Sequence, residues 1–118
     1  MGELTDYLGG LDEPARGILS GIVDRVRVLV PDADEGSSYG MAALRYRGRP
    51  LVAVVEAKSH LSVFPFSPAV VDAVAPELEG YSLSKGTIRF SPEQPLPTGV
   101  VDRVVELRRA EIDEALDR

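Results

Sequence analysis

Few side chains in this protein can react or ligate, and each can be weighed singly. His60 is the one histidine, and there is no cysteine. Thiolate zinc sites, iron–sulfur ligation, thiol nucleophiles and thiol redox switches are therefore excluded. Lys58 and His60 stand two apart, so in an extended chain they face the same way. His60 has the chemistry of an acid, a base or a metal ligand. With no cysteine it can join only carboxylates at a metal; the alternative is a solvated histidine at a hairpin end. Ser84 and Lys85 are adjacent, so in a strand they point to opposite faces, which argues against a Ser–Lys nucleophilic pair.

Carboxylates are more numerous. Asp32, Asp34 and Glu35 cluster after the first strong helical pattern, but Gly36 comes one position early for a calcium loop, and further regular acidic ligands are missing. Glu13 and Asp24 share a face of that helix, with Asp12, Glu3 and Asp6 near its start. Such a ridge can bind ferrous iron or manganese weakly, or serve only as a solvated acidic face. Near the C-terminus, Arg108 and Glu111 fall inside an otherwise apolar helical stripe. They either line a polar pocket between helix and sheet or snorkel into water beyond the end of the core. There is no phosphate-cradling glycine loop, metalloprotease motif or nucleophile elbow.

The chain that must position these groups has 118 residues, enough for one ordinary domain without staples. Thirteen basic residues against 19 acidic ones give a net charge of −6. That balance lacks the footprint of a nucleic-acid binder and repels anionic membranes. Lys58 and Lys85 are the only lysines, set against eleven arginines. The longest clean apolar run, Leu51 to Val55, is far short of the ~18 residues that span a bilayer. The first residues carry no signal-like basic and apolar regions, so a cytoplasmic protein is expected.

Periodicity supplies the elements. Asp12 is expected to cap a helix with Glu13 and Pro14 in its first turn. Its apolar positions Ile18, Leu19, Ile22, Val23, Val26, Leu29 and Val30 lie within a ~140° arc, and Pro31 ends it. Gly17, Gly21 and Val28 lie on the outer side, a strip that a second subunit could cover. Tyr39–Tyr46, Leu51–Ala57 and Leu61–Phe64 read as an antiparallel meander, the last two joined through Lys58-Ser59-His60. Ser67-Pro68 predicts a cap and start for a short helix to Ala75. Ser84–Phe90 alternates as one half-buried strand. Pro92, Pro95 and Pro97 make a stiff connection to a last helix, capped by Thr98 and carrying Val100, Val101, Val104, Val105, Leu107, Ile112, Ala115 and Leu116 in its stripe.

Several segments fall in a familiar order: Ser38-Tyr39-Gly40-Met41; Gly48 with Pro50; Lys58 and His60 before Phe64-Pro65; Tyr81; Ser84-Lys85-Gly86-Thr87-Ile88-Arg89-Phe90; Pro95-Leu96-Pro97; and Arg108 with Glu111. Together they resemble the YdhG-like bacterial domain-of-unknown-function family, from about Tyr7 to Glu111. The family usually has Pro after the Met, where this chain has Ala42, and a more aromatic run where it has Val63-Phe64. The resemblance implies a compact α+β domain. Some members are described as frataxin-like iron chaperones that deliver ferrous iron to cluster or haem assembly. Frataxin-type binding relies on carboxylates of the first helix and a nearby strand, which here implies Asp12, Glu13, Asp24, Asp32, Asp34 and Glu35.

The expectation is an α+β fold over residues 1–118, with an antiparallel sheet of about four strands packed against N- and C-terminal helices in YdhG-like, frataxin-like layering. The expected function is a non-enzymatic binding module, holding Fe(II) weakly for an iron-acceptor partner, with no nucleic acid or membrane involved, as a monomer or homodimer. The alternative is a pocket for a small anionic ligand built from Tyr39, Lys58, His60, Lys85, Arg108 and Glu111. There Lys58, Lys85 and Arg108 would hold the anion, and His60 would be the general base. A third reading makes the Tyr-Gly-Met and Ser-Lys-Gly segments turn markers in a domain that acts by protein contact.

Overall fold

The computed structural model describes residues 2–118. In chain order it contains α1 (Glu3–Gly9), α2 (Ala15–Leu29), β1 (Asp34–Ser38), β2 (Met41–Tyr46), β3 (Arg49–Glu56), β4 (Leu61–Phe64), α3 (Pro68–Val74), a 3-10 turn (Ala75–Glu77), β5 (Ser82–Ser84), β6 (Thr87–Phe90) and α4 (Val100–Leu116). The class is α+β, as expected. The antiparallel sheet has six strands rather than about four, ordered β1-β2-β3-β4-β6-β5.

Both extra strands come from two-residue turns. Tyr39 (φ 53°) and Gly40 (φ 76°) join β1 to β2, and Arg47 (φ 53°) with Gly48 (φ 78°) joins β2 to β3. Two successive positive φ values match the right-handed strand twist, so each tight hairpin fixes the register between the strands it joins. The expected strand Ser84–Phe90 is instead two strands folded about Lys85-Gly86, with Gly86 at φ 75°. Thr87, the first residue of β6, is buried.

Helices α2 and α4 follow their stripes: Ala15, Leu19, Val23 and Val26 are buried on α2, and Val100, Val104, Val105 and Ile112 on α4. They meet one face of the sheet, where Leu44, Val52, Val54, Val63, Ile88 and Phe90 join them in one core. Leu107 falls outside it, 39% exposed. Ser67 caps α3 as expected, its Oγ accepting from the Val70 amide at 3.2 Å.

Two expected caps are absent. At α2 the Glu13 carboxylate, not Asp12, accepts the free Gly17 amide at 2.8 Å. A Cβ on Gly17 would stand 3.0 Å from that carboxylate oxygen, which an exposed, flexible side chain can relieve by a small shift. At α4 the cap position is Gly99 in left-handed geometry (φ 88°), which displaces Thr98 from the role.

The unexpected α1 is pinned by buried Leu4 and Leu8. Its Thr5 amide donates to Glu35 Oε1 at 2.6 Å, and the Thr5 hydroxyl donates to Glu35 Oε2. Arg27 of α2 pairs with the same carboxylate at 2.7 Å. Burial alone would raise the Glu35 pKa, but the Thr5 hydrogen bonds and the Arg27 charge outweigh it and hold the group below the usual glutamate range. A depressed folded-state pKa contributes stability that is full above the unfolded value and lost as pH falls through the folded one. The Glu35→Gln protein should therefore be less stable than wild type at pH 7. The gap should close on acidification below pH 4.5, the ordinary glutamate value. Urea midpoints of both proteins at pH 7, 4 and 2.5 check this; a gap unchanged at pH 2.5 would refute it.

Candidate functional site

Helices cover one face of the sheet and leave the other open. Because directly paired residues share a face, the registers assign Ala43, Ala53 and Phe64 to the open side, with Met41, Val55, Ser62, Thr87 and Arg89. Met41, Val55, Phe64 and Phe66 are half-buried outside the main core cluster, whereas Ala43 and Ala53 have no exposed surface. An uncovered antiparallel face is ordinarily polar, so this apolar strip is unusual.

Across this face runs a groove of about 320 Å³, lined by Tyr39, Met41, Phe64, Phe66, Ser67, Pro68, Lys85, Gly86 and Thr87. The Tyr39 and Phe66 rings stack, with centroids 5.6 Å apart and planes 25° from parallel. One face of Tyr39 thus rests on Phe66, while the residue as a whole is 84% exposed. Both residues adopt left-handed backbone, Tyr39 at φ 53° and Phe66 at φ 58°, a conformation costing about 1–3 kcal/mol for a bulky side chain. In Tyr39 it belongs to the β1–β2 hairpin. In Phe66 it turns the chain from β4 into α3 and sets the ring beside Tyr39. Lys85 reaches the rim because Val63 pairs with Ile88, which brings the β5–β6 turn to the Phe64 end of β4.

The six candidate ligand residues are divided among three places. Tyr39 and Lys85 share this groove. Lys58 and His60 lie in the β3–β4 loop, closed by the Ala57 amide on the His60 carbonyl at 2.8 Å. They line a separate hollow of about 190 Å³ with Pro14, Glu56, Ser91 and Glu93. Since β4 runs from Leu61 to Phe64, this loop is at the opposite end of that strand from Phe64 and the β5–β6 turn that carries Lys85, roughly 13 Å along the sheet.

Arg108 and Glu111 do neither of the two things their wheel positions offered. Arg108 Nε and Nη2 donate to the Pro50 carbonyl at 3.0 and 2.9 Å, and Nη1 donates to Glu111 Oε1 at 3.2 Å. Glu111 Oε2 accepts from the Ser67 hydroxyl at 2.7 Å. The pair joins α4 to β3 and to the start of α3, and through Ser67 it supports the groove from behind. Phe66 escaped the sequence reading. It falls between a strand and a cap, outside either period, and nothing local announces its left-handed backbone.

The acidic candidates do not assemble either. Asp12, Asp24, Asp32 and Asp34 are exposed. Glu13 is engaged by Gly17 and Arg16, and Glu35 by Thr5 and Arg27. Among the described residues, no three His, Asp or Glu side chains gather as a metal site would require. A further hollow of about 450 Å³ lies between α2, the start of α4 and Pro95–Gly99. Its charged groups, Arg25 and Asp102, satisfy each other at 2.7 and 2.9 Å, so no free charge is aimed into it. Among the described residues no helix is long and apolar enough to cross a membrane.

Among solved structures, the chain is similar to a DUF1801 family protein, YdhG, from Bacillus subtilis, whose crystal structure was solved at 1.75 Å resolution. The two share 17% identity with a TM-score of 0.79, over 92% of this chain and 89% of that one. The fold is therefore YdhG-like. No family model matches the sequence, and no match was found among curated proteins.

Proposed function

We propose that this chain is a non-enzymatic binding module whose working surface is the groove of Tyr39, Phe66 and Lys85 on the helix-free face of the sheet. One observation carries the reading. Three segments far apart in sequence, Tyr39-Gly40-Met41, Phe64-Pro65-Phe66 and Lys85-Gly86-Thr87, converge there and leave aromatic and cationic groups facing outward. Apolar area with a few placed polar groups is the usual composition of a site that holds a ligand. Catalysis would require a nucleophile, a base within hydrogen-bond reach and a group orienting it. The one histidine lies in a different hollow from Lys85. The anionic-ligand pocket thus contracts from six residues to Tyr39 and Lys85. The Fe(II) chaperone reading draws no support from the scattered carboxylates.

Amide NMR of isotope-labelled protein against a library of small aromatic and aliphatic fragments tests this. Shifts should concentrate at residues 39–41, 64–67 and 85–87. Hits gathering instead at Lys58–His60, or between α2 and α4 near Arg25 and Asp102, would move the working surface and end the proposal.

A further inference from the structure

Resting on that reading of the groove, we infer that its occupant is an acidic peptide segment of a partner protein, anchored by one aromatic side chain. Although the chain has six more negative than positive charges, its cations are not evenly neutralised. Arg16, Arg25, Arg27, Arg47, Arg103, Arg108 and Arg118 are all ion-paired. Of the six cations with no ion-pair partner among the described residues, Lys85, Arg89 and Arg45 lie on or beside the open face; the other three are Arg49, Lys58 and Arg109, the last held over the Tyr46 ring. The Arg89 guanidinium is held by the hydroxyls of Ser84 and Ser82 at 2.8 and 3.3 Å. Arg45 crosses Gly36 and donates to the Gly48 carbonyl at 3.3 Å. Among the strand positions facing this way, Asp34, opposite Arg45, is the one carboxylate. An acidic protein therefore turns a net positive, apolar face outward, and this charge complementarity selects an anionic partner.

Shape selects the class of anion. Enclosed metabolite sites bury most of their ligand, whereas here Tyr39 forms a wall that is itself 84% exposed. Val55, beside Met41, is half-buried, and Ala53, beside Phe64, has no exposed surface; the accessible apolar track runs from Tyr39 and Met41 across to Phe64 and Phe66 and is longer than a single ring. An extended chain fits that track. Its aromatic side chain would stack on the free face of Tyr39, as Phe66 does on the other. Its carboxylates would meet Lys85 and Arg89.

The test is an amide-NMR titration of the full chain with the peptide acetyl-Glu-Asp-Phe-Asp-Glu-amide, at low salt and at 0.5 M salt. Two comparison peptides replace Phe by Ala, or all four acids by Lys. Shifts should map to residues 39–41, 64–66 and 85–89. Affinity should fall about ten-fold on losing the Phe, and similarly in the Lys85→Glu, Arg89→Glu protein, whose spectrum also reports that it is folded. High salt should weaken binding further. Equal binding of the lysine peptide, or shifts elsewhere, overturns the inference. So do concentration-dependent shifts of the same residues in the free protein, which would make the occupant a second copy of this chain. If fragments map to the groove and the peptide does not, only the peptide assignment falls. If neither maps there, the binding surface falls with it.

Discussion

The Arg108→Ala protein is expected to lose about 2–4 kcal/mol of unfolding free energy. Arg108 is only 15% exposed at its side chain, and three of its nitrogens are engaged. Truncation leaves the Pro50 carbonyl without the two donors it now has, next to the register shift at Leu44/Arg45 where the β2–β3 ladder is interrupted. It also leaves Glu111 with a hydroxyl partner but no counter-charge. Because Glu111 is 35% exposed, water recovers part of that second loss, so the unsatisfied carbonyl is the larger component. Arg108→Lys should restore less than half of the deficit, since one ammonium cannot reproduce a planar fork that grips a carbonyl twice and a carboxylate once. Urea unfolding of the three proteins checks the series. A loss below about 0.5 kcal/mol would return Arg108 to the class of snorkelling surface arginines. The same variant should shift the amides of Ser67 and Val70, because Ser67 joins the Glu111 network to the groove.

The range of the forces involved decides which elements are legible in the sequence and which are hidden. Helix α2 can be read because its stripe repeats over several turns and Pro31 stops it; both signals are local. Strand β1 cannot. Asp34-Glu35-Gly36-Ser37-Ser38 has neither alternation nor β-branched residues, and it is a strand because a two-residue turn folds it onto β2. That turn is Tyr39-Gly40 rather than the Asn-Gly or Asp-Gly that announces a hairpin. Lys85-Gly86 hides in the same way inside a stretch whose alternation imitates one strand. The wheel places Arg108 correctly inside the α4 stripe, but its partner carbonyl is 58 residues away. The rarity of lysine singles out Lys85, and the family resemblance, through its Tyr-Gly-Met segment, singles out Tyr39. Their meeting depends on β6 pairing with β4 rather than with its chain neighbour β5 alone, a fact of sheet order that no window of sequence contains.

Helix α1 depends on distant contacts in the same way, and Leu4→Ala should cost about 2–5 kcal/mol. Seven residues are too few for a helix to persist alone in water, so the segment is helical only because it is docked. Leu4 is fully buried and shares the core with Leu8, α2 and the sheet. Removing three of its carbons opens a cavity, and the short helix can collapse into it only by surrendering other contacts. Those are the Thr5 bonds to Glu35 and the Glu56 amide on the Tyr7 hydroxyl at 2.9 Å. If α1 stays docked, the full cavity cost appears in urea unfolding. If it detaches, stability falls by the lost burial, and the Thr5 and Glu56 amides lose their hydrogen-exchange protection together. Leu107→Ala, at a leucine that is 39% exposed on α4, should cost less than about 1 kcal/mol by the same measure. A Leu4→Ala protein within about 1 kcal/mol of wild type, with α1 still protected, would mean that the N-terminal segment adds nothing to the core. The open face and its groove would then rest on β1–β2 without support from α1.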